Sequence, residues 1–144
     1  MSWRVLVSAP HLQPVLDEYE GFFRKHDIEV VVPPVRERMS EKELLAWIGD
    51  IDGLVCGDDE LTERVLRSAP KLRVISKWGT GVDSIDQEAA ARLRIAVHRT
   101  PDAFTDPVAD TVLGYVLCFA RQLRQMDDGI RRGVWRKWSA PALR

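Results

Sequence analysis

The stretch ISKWGTGVDSIDQEAA, Ile75 to Ala90, decides how this chain folds. An apolar run reaches Ser76, two glycines at 79 and 81 flank Thr80, and a helix-like run follows Asp83. Strand, glycine turn, helix is the βα unit of an open parallel sheet, and ligands sit where such strands end. Glycine permits positive φ and close approach of a ligand to the backbone, and successive N–H groups in such a turn form an anion-binding concavity. The amides of Thr80 and Gly81 are therefore candidates to hold a carboxylate or phosphate, helped by the N-terminus of the next helix. An ordinary βα turn using glycines for its geometry is the plain alternative, because a lone G-x-G is a weak signal.

Outward from that turn, strand and helix alternate. Residues 4–9, 28–32, 52–56, 72–76 and 95–99 are short apolar runs rich in Val, Ile and Leu. Between the first two, Leu12, Val15, Leu16, Tyr19, Phe22 and Phe23 recur at helical spacing, with Pro14 tolerable in a first turn. Ser40 and Glu43 form a capping box that starts a helix near Glu41, and Thr62 caps another. Five alternations predict an α/β fold, a parallel sheet with helices on both faces.

Residues 102–144 differ. Asp106 reads as an N-cap with Pro107 in the first helical position, and no breaker stronger than Gly114 appears before Asp128. Val108, Val112, Tyr115, Val116, Phe119, Leu123 and Met126 form one apolar stripe, which Leu113, Leu117 and Ala120 widen. A helix apolar over more than half its circumference expects partners on two sides.

Composition limits the partners. The 144 residues are 45% hydrophobic and 30% charged, with net charge −1, as in an ordinary single soluble domain. No global charge favours nucleic acid or an anionic membrane. Residues 106–144 carry seven Lys/Arg against four Asp, a net +3, so residues 1–105 carry −4. The tail IRRGVWRKW interleaves basic and aromatic residues, but Trp135 and Trp138 packing on a neighbouring domain explains it more simply than nucleic acid. Cys56 and Cys118, both in apolar surroundings without C-x-x-C spacing, are expected as buried thiols in a reducing cytoplasm. The first ten residues turn polar too quickly for a signal peptide, and no run approaches a membrane span. Asp58-Asp59 after the third strand could suggest a receiver-type phospho-acceptor. That chemistry needs acids after strand one and a lysine after strand five, where this chain has SAPH and HRT.

The longer pattern, LRVISKWGTGVDSIDQEAAARLRIAVHRTPDAFTDPVADTVLGYVLCFARQL with GVWRKW beyond it, resembles the D-isomer-specific 2-hydroxyacid dehydrogenases. These include phosphoglycerate, glyoxylate/hydroxypyruvate and D-lactate dehydrogenases. The family pattern runs strand, R/K-x-G-x-G-x-D-x-I-D, helix, short strand, x-x-T-P, then a long helix opening V-A-[DE]. It covers residues 52–138 closely. The resemblance implies a flavodoxin-like catalytic domain, here 1–101, with a five-stranded parallel sheet of order 2-1-3-4-5, and an arm, 102–144, that begins a Rossmann NAD-binding domain. It implies that Thr80 and Gly81 offer N–H groups to the substrate carboxylate, with the basic Lys77 close by. Gly57 and Asp58, in CGDDELT (56–62), would close the other side of the pocket. Val108 would pack on the nicotinamide of NAD or NADP, and Asp83 would tie the loop down. The implied partners are a small 2-hydroxy or 2-oxo acid and a second copy, in a homodimer through the helical arm.

Two departures qualify this. Phosphoglycerate-type members show an arginine where this chain has Cys56-Gly57, which speaks against phosphoglycerate as substrate. The chain also has no G-x-G-x-x-G, and His11, His26 and His98 do not stand at the family's catalytic histidine. Catalytic residues are thus expected outside these 144. A non-catalytic module that binds a carboxylate metabolite or docks onto an intact dehydrogenase subunit is the alternative.

Overall fold

In the computed structural model, residues 2–137 are described, and the expectation for Trp138 lies outside them. The chain divides into two compact units, Met1–Pro101 and Asp102–Arg144.

In the first unit β1 (Trp3–Val7), β2 (Ile28–Val31), β3 (Gly53–Cys56), β4 (Val74–Lys77) and β5 (Ala96–His98) form one all-parallel sheet, ordered β2-β1-β3-β4-β5. The register places Val31, Leu6, Leu54, Ile75 and Val97 in one row across all five strands. Alternate residues on a strand face opposite ways, so this row defines one face. The main core covers it: Leu44 of α2 (Glu41–Leu45), Val65 and Leu66 of α3 (Glu63–Arg67), and Ala89 and Ala90 of α4 (Gln87–Arg92). On the other face Val7, with Val5, Val30 and Val55, packs against Leu12, Val15 and Leu16. Helical segments therefore cover both faces, as the alternation predicts. That second face is bare toward β4 and β5, where Ser76, Ala96 and His98 are exposed.

Local signals explain most element starts. Ser40 and Glu43 make the reciprocal capping box of α2. The Thr62 side chain accepts from the Val65 N–H to cap α3, and Asp86 does the same from Ala89 for α4. The segment after β1 departs from expectation. It is a tight 3₁₀ helix over Gln13–Tyr19, with Pro14 in its first turn, and becomes α1 only at Glu20–Lys25.

In the second unit, α5 (Thr105–Arg121) is capped from Phe104 rather than Asp106, so Asp106 and Pro107 lie within its first turn. There the acid favours the positive end of the helix dipole, and proline's missing N–H costs nothing. The single rod expected to reach Asp128 does not exist. Gln122 adopts a left-handed conformation (φ 54°) and separates α5 from α6 (Leu123–Arg131). A left-handed residue costs roughly 1–2 kcal/mol without glycine's freedom, so the sequence gives no warning of the break. Cys56 is buried as expected, but Cys118 is exposed on α5.

Leu54 is 1% exposed in the middle of the middle strand. Replacing it with alanine is expected to cost about 3 kcal/mol, read as a lower urea midpoint at unchanged slope. A loss under about 1 kcal/mol would mean that this row is not the centre of the core.

Candidate functional site

Five parallel strands leave their carboxyl ends on one edge of the sheet, so the loops after β3, β4 and β5 share that edge. Lys77, the last residue of β4, joins two of them. It is 3% exposed, and its ammonium donates to the Gly57 carbonyl oxygen at 2.5 Å and to the Asp58 carboxylate, itself 83% exposed. Burying an ammonium is expensive unless it is paired and hydrogen-bonded. The lysine is held because the β3 loop supplies both partners. Three further bonds join the same loops: Trp78 N–H to Cys56 O (2.8 Å), Leu61 N–H to Ser84 O (2.9 Å), and Asp86 N–H to Leu61 O (2.9 Å).

The glycine turn leans on the β5 loop. Gly79 N–H donates to Thr100 Oγ1 (3.1 Å), Thr100 N–H to Gly79 O (3.0 Å), Thr80 Oγ1 to Thr100 O (3.1 Å), and Arg99 Nη1 to Thr80 O (3.2 Å). With the turn's carbonyls and side chain engaged, its next amides are left over. Among the described residues, the N–H groups of Thr80 and Gly81 meet no acceptor. Neither residue is buried, so the donors are not a packing defect. They can accept an anion.

The two glycines differ in purpose. Gly79 has φ +150°, and a Cβ there would lie 3.5 Å from Lys77 Cε, so the lysine stem runs alongside the turn. Gly81 has no such φ, and its nearest neighbour is Asp83 Oδ2, 3.5 Å from where a Cβ would be. The fold leaves room above it. Gly57 is explained by packing, because a Cβ would stand 3.0 Å from Pro10 Cδ. Asp83 does not tie the loop down: it is exposed and makes no hydrogen bond among the described residues. Arg99 and Thr100 do that work.

Beneath the site lies a feature that spacing did not single out. Asp59 is fully buried; Ser8 Oγ donates to its Oδ2 at 2.5 Å and Met39 N–H to its Oδ1 at 2.6 Å. Burial pushes its carboxyl above the usual range, against the opposing pull of Ser8, the Met39 and Gly57 backbones and the Lys77 charge. Burial, with the Asp59 charge next in importance, pushes the Cys56 thiol up to about 12, which leaves it inert near neutrality. Asp59 thus pins the β1 loop and the approach to α2 under the β3 loop. A groove beside β2 carries Asp17, Glu20 and Arg24, two acids and one base, which does not favour an anion. Val108 belongs to the second unit and is exposed on α5. Among the described residues, no group of three or more His, Cys, Asp or Glu could hold a metal.

Residues 5–136 match the family model described as D-isomer specific 2-hydroxyacid dehydrogenase, catalytic domain. D-3-phosphoglycerate dehydrogenase of Sus scrofa is 36% identical over 103 residues, 71% of this chain and 19% of that protein. Glyoxylate reductase of Thermococcus kodakarensis is 35% identical over 114 residues, 78% of this chain and 34% of the relative. The crystal structure of NADPH-dependent glyoxylate/hydroxypyruvate reductase from Sinorhizobium meliloti, in complex with NADP and malonate, superposes with a TM-score of 0.68 at 28% identity. It covers 94% of this chain and 40% of that one. The chain thus spans about a fifth to two fifths of the length of these relatives.

Asp59→Ala strands the Met39 N–H in the interior and leaves the Ser8 hydroxyl with its long bond to the Val55 carbonyl oxygen. It is expected to cost about 2–3 kcal/mol, measured by urea unfolding, with Asp59→Asn costing less. Equal stability of the alanine variant and the parent would show that this carboxylate does not hold the loops.

Proposed function

The chain belongs to the D-isomer specific 2-hydroxyacid dehydrogenase family, and we propose that it is the substrate-binding N-terminal part of an NAD(P)-dependent enzyme. That enzyme interconverts a small D-2-hydroxy acid and its 2-oxo acid. The observation that carries this reading is the pair of acceptor-free amides at Thr80 and Gly81, beside the buried ammonium of Lys77. Two adjacent N–H donors can serve the oxygens of a carboxylate, and hydrogen bonds to a charged group are the stronger kind. Lys77 can donate three hydrogen bonds and the fold engages two. One remains for a substrate oxygen. Gly57 and Asp58 form the facing wall.

NAD or NADP supplies or accepts the hydride when bound. A relative crystallised with NADP supports that choice of cofactor. The residues of this chain do not by themselves fit a dinucleotide: no G-x-G-x-x-G occurs in it, and Val108 is the one candidate contact. Its exposed side chain on α5 is offered as the apolar surface against the nicotinamide. Residues 1–101 act here as the substrate-binding domain and 102–144 as the arm that leads into the cofactor domain. Their part in the reaction is to bind and orient the acid.

Assembly and location belong to the same proposal. Val112, Tyr115, Phe119 and Leu123 are exposed on the arm, Phe119 by 84%, a larger apolar surface than a solvated helix shows. We assign it to a homodimer contact. Among the described residues no helix is long and apolar enough to cross a membrane. The exposed thiol of Cys118 suits the reducing cytoplasm.

Two outcomes follow. The purified 144-residue chain is expected to show no oxidation of NADH or NADPH above blank with glyoxylate, hydroxypyruvate or pyruvate. Turnover would mean that a complete catalytic set lies within it. In sedimentation velocity the chain is expected to self-associate, and Phe119→Asp with Val112→Asp to shift it toward monomer. A parent chain that sediments as a monomer at all concentrations would remove the dimer from this reading.

A further inference from the structure

We propose that Asp58 is a charge filter that restricts the site to monoanionic acids. The inference rests on the reading of Thr80 and Gly81 as the carboxylate cradle and deepens it. Lys77 is the buried cation at this edge of the first unit, and its charge would attract a second anionic group as well as a first. The chain spends that charge on itself: Asp58, exposed to solvent, closes an ion pair on the buried ammonium. The pair leaves one ammonium N–H free as a hydrogen-bond donor but cancels its net positive charge. Arg99 donates to the Thr80 carbonyl and keeps its own charge on the side of the turn that faces β5, away from the Lys77–Asp58 pair's own bonds. Asp83 adds another exposed carboxylate beside Gly81.

A ligand with one negative charge satisfies the Thr80 and Gly81 amides and needs no further cation. A ligand with two meets the Asp58 carboxylate with its second charge and finds Lys77 already occupied. A carboxylate of the protein that repels the wrong ligand is a recognised way to gain specificity at some expense of affinity. The substrate class that fits is a 2-hydroxy or 2-oxo acid with an uncharged remainder. Dicarboxylates and phosphorylated acids are disfavoured.

Oxamate and oxalate test this, because they have nearly the same shape and differ by one charge. Both are titrated calorimetrically into the 144-residue chain, its Asp58→Asn variant and its Asp58→Glu variant. The parent is expected to prefer oxamate. Removing a unit charge from this exposed position acts once on a monoanion and twice on a dianion, so Asp58→Asn should shift the oxalate-to-oxamate affinity ratio about threefold toward oxalate. Asp58→Glu, which keeps the charge, should retain the parental ratio. Oxamate binding with a ratio unchanged in Asp58→Asn, or a parent that prefers oxalate, overturns the filter and leaves the carboxylate cradle standing. No binding of either ligand to any of the three proteins overturns the cradle, and the filter with it.

Discussion

A lysine buried at the end of a strand needs partners, and that need shapes the whole working edge of this molecule. Lys77 ends β4 inside the protein, and among the described residues the neighbouring β3 loop supplies the partners of its ammonium. The Gly57 carbonyl and the Asp58 carboxylate must therefore stay where they are. An uncompensated buried ammonium would cost several kcal/mol. Because β3 and β4 are adjacent in the sheet, this tether fixes the two loops against each other and sets the position of the glycine turn that follows immediately.

Two other devices complete the edge, each supplied by a different strand. From β5, Thr100 and Arg99 engage the polar groups of the turn that could otherwise fold inward. From β1, Ser8 holds Asp59 under the β3 loop. Among the described residues, the amides of Thr80 and Gly81 are then left without an acceptor, as are those of Val82, Asp83 and Ser84 further along the same loop. Rigid surroundings with a few unspent donors are what pre-organised binding requires, since little reorganisation opposes the ligand. The same economy explains the glycines: Gly79 bends the chain, Gly57 lets β1 approach, and Gly81 leaves space.

The sheet was legible in the sequence because its evidence is local and repeated. Five apolar runs, a capping box at Ser40 and Glu43, and a cap at Thr62 each act within a few residues. The glycine turn was legible too, and so was the nearness of Lys77 to it. What escaped notice depends on contacts distant in sequence. Asp59 meets Ser8 across 51 positions, and nothing near Asp59 in the sequence marks it as buried. Thr100 and Arg99 are about twenty positions from the turn they secure. Asp83 drew attention through its spacing in the turn, yet among the described residues it has no hydrogen-bond partner. Gln122 broke a helix that its neighbours favoured, because left-handed glutamine has no local signature. Cys118 lies in an apolar run whose burial depends on what the helix packs against, which periodicity alone does not reveal.

The claim that everything above depends on is that the free amides at the turn after β4 grip a carboxylate. The direct measurement is a ¹H–¹⁵N titration of the 144-residue chain with oxamate, following every backbone amide. The account predicts that the largest saturable shifts fall on Thr80 and Gly81, with smaller ones at Gly57 and Asp58. Shifts centred on any other loop, or unchanged Thr80 and Gly81 amides at saturating oxamate, would contradict it.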